Sequence, residues 1–413
     1  MPAMDKMAGI QTQGGGTWMQ ALLQSLAKMP GVKLGVVCAY TGRASAQFEA
    51  DGIDYFVIGQ PRWCDLGNPK DLTACAAVVE QWKPDLIHIH GTERFYGLLA
   101  GCLKTPCPIV ISIQGLINPY SKWPAFFGNL SITEIARTIT WRDLAFQNGL
   151  VFDYQRYKSK ALQEKVIINQ NRNFIGRTAW DRAWLTQMNP KAKYFHGGEM
   201  LRSEFFGASW EIGKCRRHSL MSTNIGHPRR GTEVLLAAVA QLAERYPDIE
   251  LKMAGSLNPK AGYGRFLMNR INDLGLRSRV KLLGYQDAKS LAKELYEAHL
   301  FVHASYMDNS PNSLCEAMLA GLPCVASYTG GIPSMLADGK EGLFFPVGDS
   351  ASLAASITGI FENDLLAVEL GSQARLRALR RHDPQTILNQ LLETYNAVVS
   401  EARPNSASLS NPA

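Results

Sequence analysis

The chain alternates short apolar runs with stretches of helical spacing, and it does so in two series. LGVVCAY (34–40), DYFVIG (54–59), DLIHIHG (85–91) and PIVISIQG (108–115) read as strands, each bounded by Gly, Pro or Asp. The second series holds HSLMSTNI (218–225), ELKMAG (250–255), VKLLGY (280–285), LFVHASY (300–306) and PCVAS (323–327). Between its runs, TEVLLAAVAQLAERY (232–246) and AKSLAKELYEA (288–298) carry apolar residues at helical spacing. Such alternation predicts the α/β class, with parallel sheets covered by helices on both faces. The pattern breaks at FFGASWEIGKCRR, between about residues 203 and 217. Two doubly wound, Rossmann-like domains are therefore expected, 1–205 and 206–402, the second closing in helices after about residue 350. The Pro, Ser and Asn content of RPNSASLSNPA predicts a disordered tail over 403–413. MPAMDKMAGIQT offers only a weak apolar segment ahead of Gly14, Gly15 and Gly16, so the first strand of the first domain is expected to be weak or missing.

Composition narrows the picture. A chain of 413 residues with 46% apolar content suits two cores better than one. No apolar run reaches bilayer length and no signal-peptide pattern opens the chain, which predicts a cytoplasmic protein. Eight cysteines are scattered without a CxxC pair and read as reduced core residues, not as a staple or a zinc site. A net charge of +7 is compatible with an anionic partner: a nucleotide diphosphate, an acidic membrane surface or nucleic acid. Nucleic acid is set aside because no Lys/Arg-rich block, zinc finger or RNP-type signature is present.

The candidate chemistry centres on DNSPNSLCEAMLAGLPCVASYTGGIP, which starts at Asp308. Ser310 can cap a helix and Pro311 suits its first position, so a helix is predicted through LCEAMLA to the Gly321-Leu322-Pro323 stop, with Glu316 inside it. The start of that helix presents free N–H groups and a positive dipole end, which favour a phosphate, and Asp308 beside it can accept from sugar hydroxyls. Read by itself, the stretch also fits a solvated loop with an ordinary cap.

The whole phrase resembles the signature of retaining GT-B glycosyltransferases of the group 1, family 4 type: an acid, seven residues and Glu, then an AMA-like helix, a G-x-P turn and a GG-x-P loop. The resemblance covers nearly all of the chain, most strongly the second half. It implies that Asp308 contacts the donor sugar, that Glu316 binds the ribose hydroxyls, and that Asn312, Ser313 and Leu314 bring backbone amides to sugar and phosphates. The chain departs from the pattern in having Asp for the first Glu, one methylene shorter, and Pro311, which removes a donor N–H. STNIGHPRRG (222–231) lies where the family clamps the diphosphate. There Arg230 takes the place of a Lys, and Arg229 is expected to supply the charge lost at Ile225.

Gly15 and Gly16 resemble the glycine-rich loop ahead of the first helix, where backbone comes close to a ligand. In many relatives a His follows the strand matching IVISIQG; here Gln114 holds that place, leaving His90 as the nearest group able to titrate. In segment 174–202, which resembles bacterial surface-polysaccharide transferases, Arg177 and Asp181 at a strand end and Glu199 and Arg202 farther on read either as acceptor or diphosphate contacts or as an interdomain salt-bridge network. Residues 119–160 interleave aromatics such as Tyr120, Phe126, Phe127, Trp141 and Tyr154 with bases, which suits a membrane interface holding a lipid-linked acceptor and equally suits helices packed on a sheet.

Together these features predict a metal-independent glycosyltransferase with a nucleotide-diphosphate sugar as co-substrate and no cofactor. A saccharide or lipid-linked saccharide acceptor is expected, in lipopolysaccharide, capsule or exopolysaccharide assembly, with peripheral contact at the inner face of a membrane. Two other classes stay open on sequence alone: a nucleotide-sugar epimerase of the same fold, and a non-catalytic sugar-nucleotide-binding scaffold.

Overall fold

The computed structural model describes residues 17–41, 44–60, 66–223 and 225–402. The expected weak first strand, the glycines 14–16 and the tail 403–413 lie outside the described residues.

The described part of the first domain has two sheets. β1 (Leu34–Thr41) and β3 (Ile53–Gln60) run parallel, and β2 (Ala46–Ala50) pairs antiparallel with β3. β4 (Ile87–His90), β5 (Ile109–Ser112), β6 (Asn173–Gly176) and β7 (Lys193–His196) form a parallel sheet in that order. Val110 and Ile111 are fully buried because helices cover both faces of β5, which is why this strand reads as a continuous apolar run. The buried carboxylate of Glu164, on helix Leu150–Gln170, accepts from the N–H groups of Ile117 and Asn118 and from the Thr92 hydroxyl. That network fixes the turn after β5 and with it the backbone around Gln114.

The second domain is one six-stranded parallel sheet: β8 (Ser219–Thr223), β9 (Glu250–Ala254), β10 (Val280–Gly284), β11 (Leu300–His303), β12 (Cys324–Ser327) and β13 (Leu343–Phe345), in the order β10-β9-β8-β11-β12-β13. The direction of winding reverses between β8 and β11, and in sheets of this kind ligands bind beyond the carboxyl ends of the strands at that reversal. The loops that leave these two strands carry Arg230 and Asp308.

Two sequence expectations need correction. The helix Asp364–Arg381 packs on Asn312–Ala320, but the last helix, Pro384–Ala402, crosses back to the first domain. Its Ile387, Leu388 and Leu391 lie in one buried cluster with Val110, Ile175 and Leu26, so 384–402 belongs to the first core and not to the second. The aromatic and basic segment 119–160 divides. Tyr120, Phe126 and Phe127 are buried, whereas Trp141 is 74% exposed.

Candidate active site

After β8 the chain makes a short 3-10 turn, Pro228–Arg230, capped by the His227 side chain, which accepts from the Arg229 N–H at 3.1 Å. Gly231 then turns with φ +64°; a Cβ there would lie 2.0 Å from the Ala304 carbonyl oxygen, so only glycine lets this turn press against the end of β11. The contact brings Arg230 to Asp308, and the two side chains form an ion pair. Nε2 of His303, the last residue of β11, lies 3.4 Å from the same Asp308 oxygen. Burial works to raise the Asp308 carboxyl, but Arg230, the His303 side chain and Arg229 hold it well below the usual carboxylate range.

The Asp308 loop is clamped from both sides. A Cβ on Gly330 would stand 1.9 Å from the Asp308 carbonyl oxygen, and one on Gly331 would stand 2.2 Å from that of Asn309. Across the domain junction, the Asn309 amide donates to Asp181 at 3.0 Å and its oxygen accepts from the Thr178 hydroxyl at 2.7 Å. Asp181 also completes the capping box of helix Ala179–Met188, so one buried carboxylate starts a first-domain helix and anchors a second-domain loop.

The helix that follows spans Asn312–Ala320 and ends at Gly321 in the left-handed region, as its sequence predicts. Its start differs by one residue. Pro311 occupies the cap with extended backbone, and no side chain caps the helix, so Ser310 does not do so. The N–H groups of Leu314 and Cys315 turn back on the Pro311 carbonyl. The amides of Asn312 and Ser313, the first two helical positions, therefore have no acceptor within the helix. Leu314 is fully buried and contributes packing, its amide being already engaged.

Glu316 is 4% exposed and is gripped by Arg202 through two bonds of 2.8 Å, Nε to Oε1 and Nη2 to Oε2. Burial raises the Glu316 carboxyl to about 7, against the pull of Arg202. Arg202 reaches it from the segment joining the domains.

Facing this motif, the first domain presents Gln114, Arg177 and Glu199. The Arg177 guanidinium donates to the Gln114 side-chain oxygen at 2.8 Å and pairs with Glu199. Gln114 Nε2 has no protein partner and lines, with Glu199, His88, His90 and Ser112, a cavity of about 40 Å³. That volume admits a hydroxyl or two, not a sugar ring. Burial raises the Glu199 carboxyl against the pull of Arg177.

Two site expectations change. His90 lines this cavity, but burial and the nearby Arg177 charge push it down to about 4, so it stays neutral near pH 7 and does not titrate there. Arg229 is buried with its guanidinium 4.3 Å over the Tyr120 ring; it bears on Asp308 through its field and does not present a second charge for a diphosphate. Gly15 and Gly16 fall outside the described residues. The arrangement adds His303 and Asn309, which the sequence reading passed over, and gives a definite partner to Arg202. Nothing in the spacing of Arg202 announces its bond to a residue 114 positions away. Among the described residues, no group of three or more His, Cys, Asp or Glu is placed to hold a metal ion.

Two parallel-sheet domains, with paired charges and a helix start at the strand-order reversal of the second, define the GT-B fold. Sucrose-phosphate synthase from Thermosynechococcus elongatus superposes with a TM-score of 0.70 at 18% identity, over 93% of this chain and 92% of that one. HepE of Anabaena, in complex with UDP and glucose, superposes with a TM-score of 0.66 at 19% identity, over 94% and 98%. Residues 218–377 match the family model of group 1 glycosyl transferases. Phosphatidyl-myo-inositol mannosyltransferase of Mycobacterium leprae is 31% identical over 179 residues, which is 42% of this chain and 44% of that protein, so less than half of that relative's length is matched. The 2-deoxystreptamine N-acetyl-D-glucosaminyltransferase of Niallia circulans is 21% identical over 321 residues, 76% of each chain.

Proposed function

We propose that this protein transfers a sugar from a nucleotide-diphosphate donor to an acceptor hydroxyl with retention of anomeric configuration, without a metal. One observation carries the reading: the Arg230 guanidinium, the Asp308 carboxylate and the start of helix Asn312–Ala320 converge at the strand-order reversal, opposite Gln114 and Arg177 of the first domain. Arg230 and the amides of Asn312 and Ser313 would hold the diphosphate and stabilise the charge that grows on it as the glycosidic bond stretches. Arg230 must turn from Asp308 toward the phosphates to do so, which frees the Asp308 carboxylate for the donor sugar. Glu316 would accept from the ribose hydroxyls. The acceptor hydroxyl enters on the face the diphosphate leaves, and a phosphate oxygen takes its proton, since burial and the Arg177 charge make His90 a weak base near pH 7.

Support for the donor class comes from HepE, which binds UDP and glucose, and support for a hydroxyl acceptor from the mannosyl- and N-acetylglucosaminyltransferase relatives. The acceptor is read as a saccharide, free or lipid-linked, of cell-envelope polysaccharide assembly, with the protein in the cytoplasm or on the inner face of the membrane. No helix among the described residues is long and apolar enough to cross a membrane.

The test is thermal-shift screening of UDP- and GDP-sugars, followed by NMR of donor hydrolysis on any hit. Release of the sugar with the donor's own anomeric configuration is the expected result. Interconversion of donor sugars without acceptor would replace the reading with an epimerase, and nucleotide binding with no turnover toward any acceptor would replace it with a binding scaffold.

A further inference from the structure

Helix Trp141–Phe146 has no buried residue. Its apolar side chains are turned outward: Trp141 is 74% exposed, Leu144 62% and Phe146 67%. Single exposed apolar residues are ordinary, but two neighbours projecting from one side of a short helix form a patch that water solvates badly and that a partner can cover. Trp141 and Leu144, three positions apart, share one side. Phe146 turns with Arg142 toward a groove closed on its far wall by Asn258 and Ala261 of the second domain.

The charges around the helix indicate the partner. Residues 131–156 and 258–265 contain five arginines and lysines against three acids. All three acids are tied up locally: Glu134 and Asp143 complete capping boxes, and Asp153 pairs with Arg156. Arg137, Arg142, Lys260 and Arg265 remain as exposed charge, and Arg265 donates to the Arg137 carbonyl at 3.2 Å, which joins the two segments into one basic surface. An indole and a leucine projecting from a basic rim match the boundary between headgroups and acyl chains, where aromatic rings settle and anionic lipids attract arginine.

We propose that helix Trp141–Phe146 is a docking element for an anionic phospholipid surface, with Trp141 and Leu144 entering the interfacial layer and Arg137 and Arg142 meeting the headgroups. Docking there would hold the groove between Phe146 and Ala261 at the membrane, where a lipid-linked acceptor resides, and so deepens the transferase reading. Vesicle binding without sugar nucleotide tests it apart from transfer.

The experiment is co-sedimentation of the full chain with vesicles of phosphatidylcholine alone and of phosphatidylcholine with phosphatidylglycerol. Binding is expected on the anionic vesicles only. Arg142→Gln should weaken it about fivefold at low salt, and Trp141→Ala with Leu144→Ala should weaken it more than tenfold. Neither apolar side chain is buried, so the double variant should keep the wild-type unfolding midpoint. Absence of binding by the wild type, equal binding to both vesicle types, or full binding by the double variant overturns the proposal. So does a wild-type dimer in light scattering that the double variant turns into a monomer, because the patch would then join two copies of the chain.

Discussion

Replacing Glu316 by Ala should weaken nucleotide binding by about thirtyfold. An ionised carboxylate that accepts from two ribose hydroxyls gains roughly 1.5–3 kcal/mol per bond. Here the carboxylate is not taken from water, since Arg202 already holds both of its oxygens at 2.8 Å, so nucleotide binding exchanges or shares partners and the net gain approaches that of one bond. About 2 kcal/mol corresponds to a factor of about 30 in Kd. Titration calorimetry with UDP and GDP reads this directly, with Glu316→Gln as the variant that keeps the volume. The raised Glu316 carboxyl, about 7, adds a pH dependence. Its ionised form is the better acceptor, so wild-type affinity should rise from pH 6 to pH 8, and Glu316→Gln should lack that rise. The folding contribution runs the other way: the folded chain holds this proton more tightly than the unfolded one, so stability from this group falls as pH climbs from the ordinary Glu range to about 7. Equal Kd values for wild type and Glu316→Ala, with both folded at the assay temperature, would refute the ribose assignment.

Arg230→Ala should weaken UDP or GDP binding roughly 10–100-fold while leaving the bare nucleoside unaffected, because the lost bonds are to phosphate; calorimetry with diphosphate and nucleoside separates the two. Asp308→Ala should slow transfer about 10²–10³-fold with little change in nucleotide Kd, read from donor turnover. His90→Gln should leave the pH profile of turnover between 6 and 8 unchanged. Because the unfolded chain protonates this His near 6.5 and the folded chain only near 4, the wild type should lose more stability than the variant as pH falls through that window, as measured by urea unfolding. Gly330→Ala should cost about 2 kcal/mol in urea unfolding and loosen the Asp308 loop, since φ is +53° and the added methyl meets the Asp308 carbonyl oxygen.

The parts of the fold that were legible are those in which burial is two-sided. β5, β11 and β12 lie under helices on both faces and read as near-continuous apolar runs. β7 was not legible, because KYFH is an edge strand with exposed ends. Nor was β13, with only three residues. The site divides along similar lines. Asp308, Asn312, Ser313 and Glu316 lie on one contiguous stretch whose helix and stop signals are local. The misjudged residues, Ser310, Arg229 and His90, depend on surroundings that spacing does not report: which residue takes the cap, which ring lies under a guanidinium, how dry a strand end is.

By itself the sequence determined the alternating α/β architecture, the two-domain division and the acid-bearing helix start, since these follow from periodicity, capping and glycine geometry within some twenty residues. Tertiary structure alone decided that Arg202 grips Glu316, that Arg230 meets Asp308, that Asn309 is bolted to Asp181 across the junction, and that the last helix returns to the first core. Those partners are 78 to 128 or more positions apart in the chain, and only the strand-order reversal between the adjacent parallel strands β8 and β11 and closure of the two domains bring them within reach of a hydrogen bond.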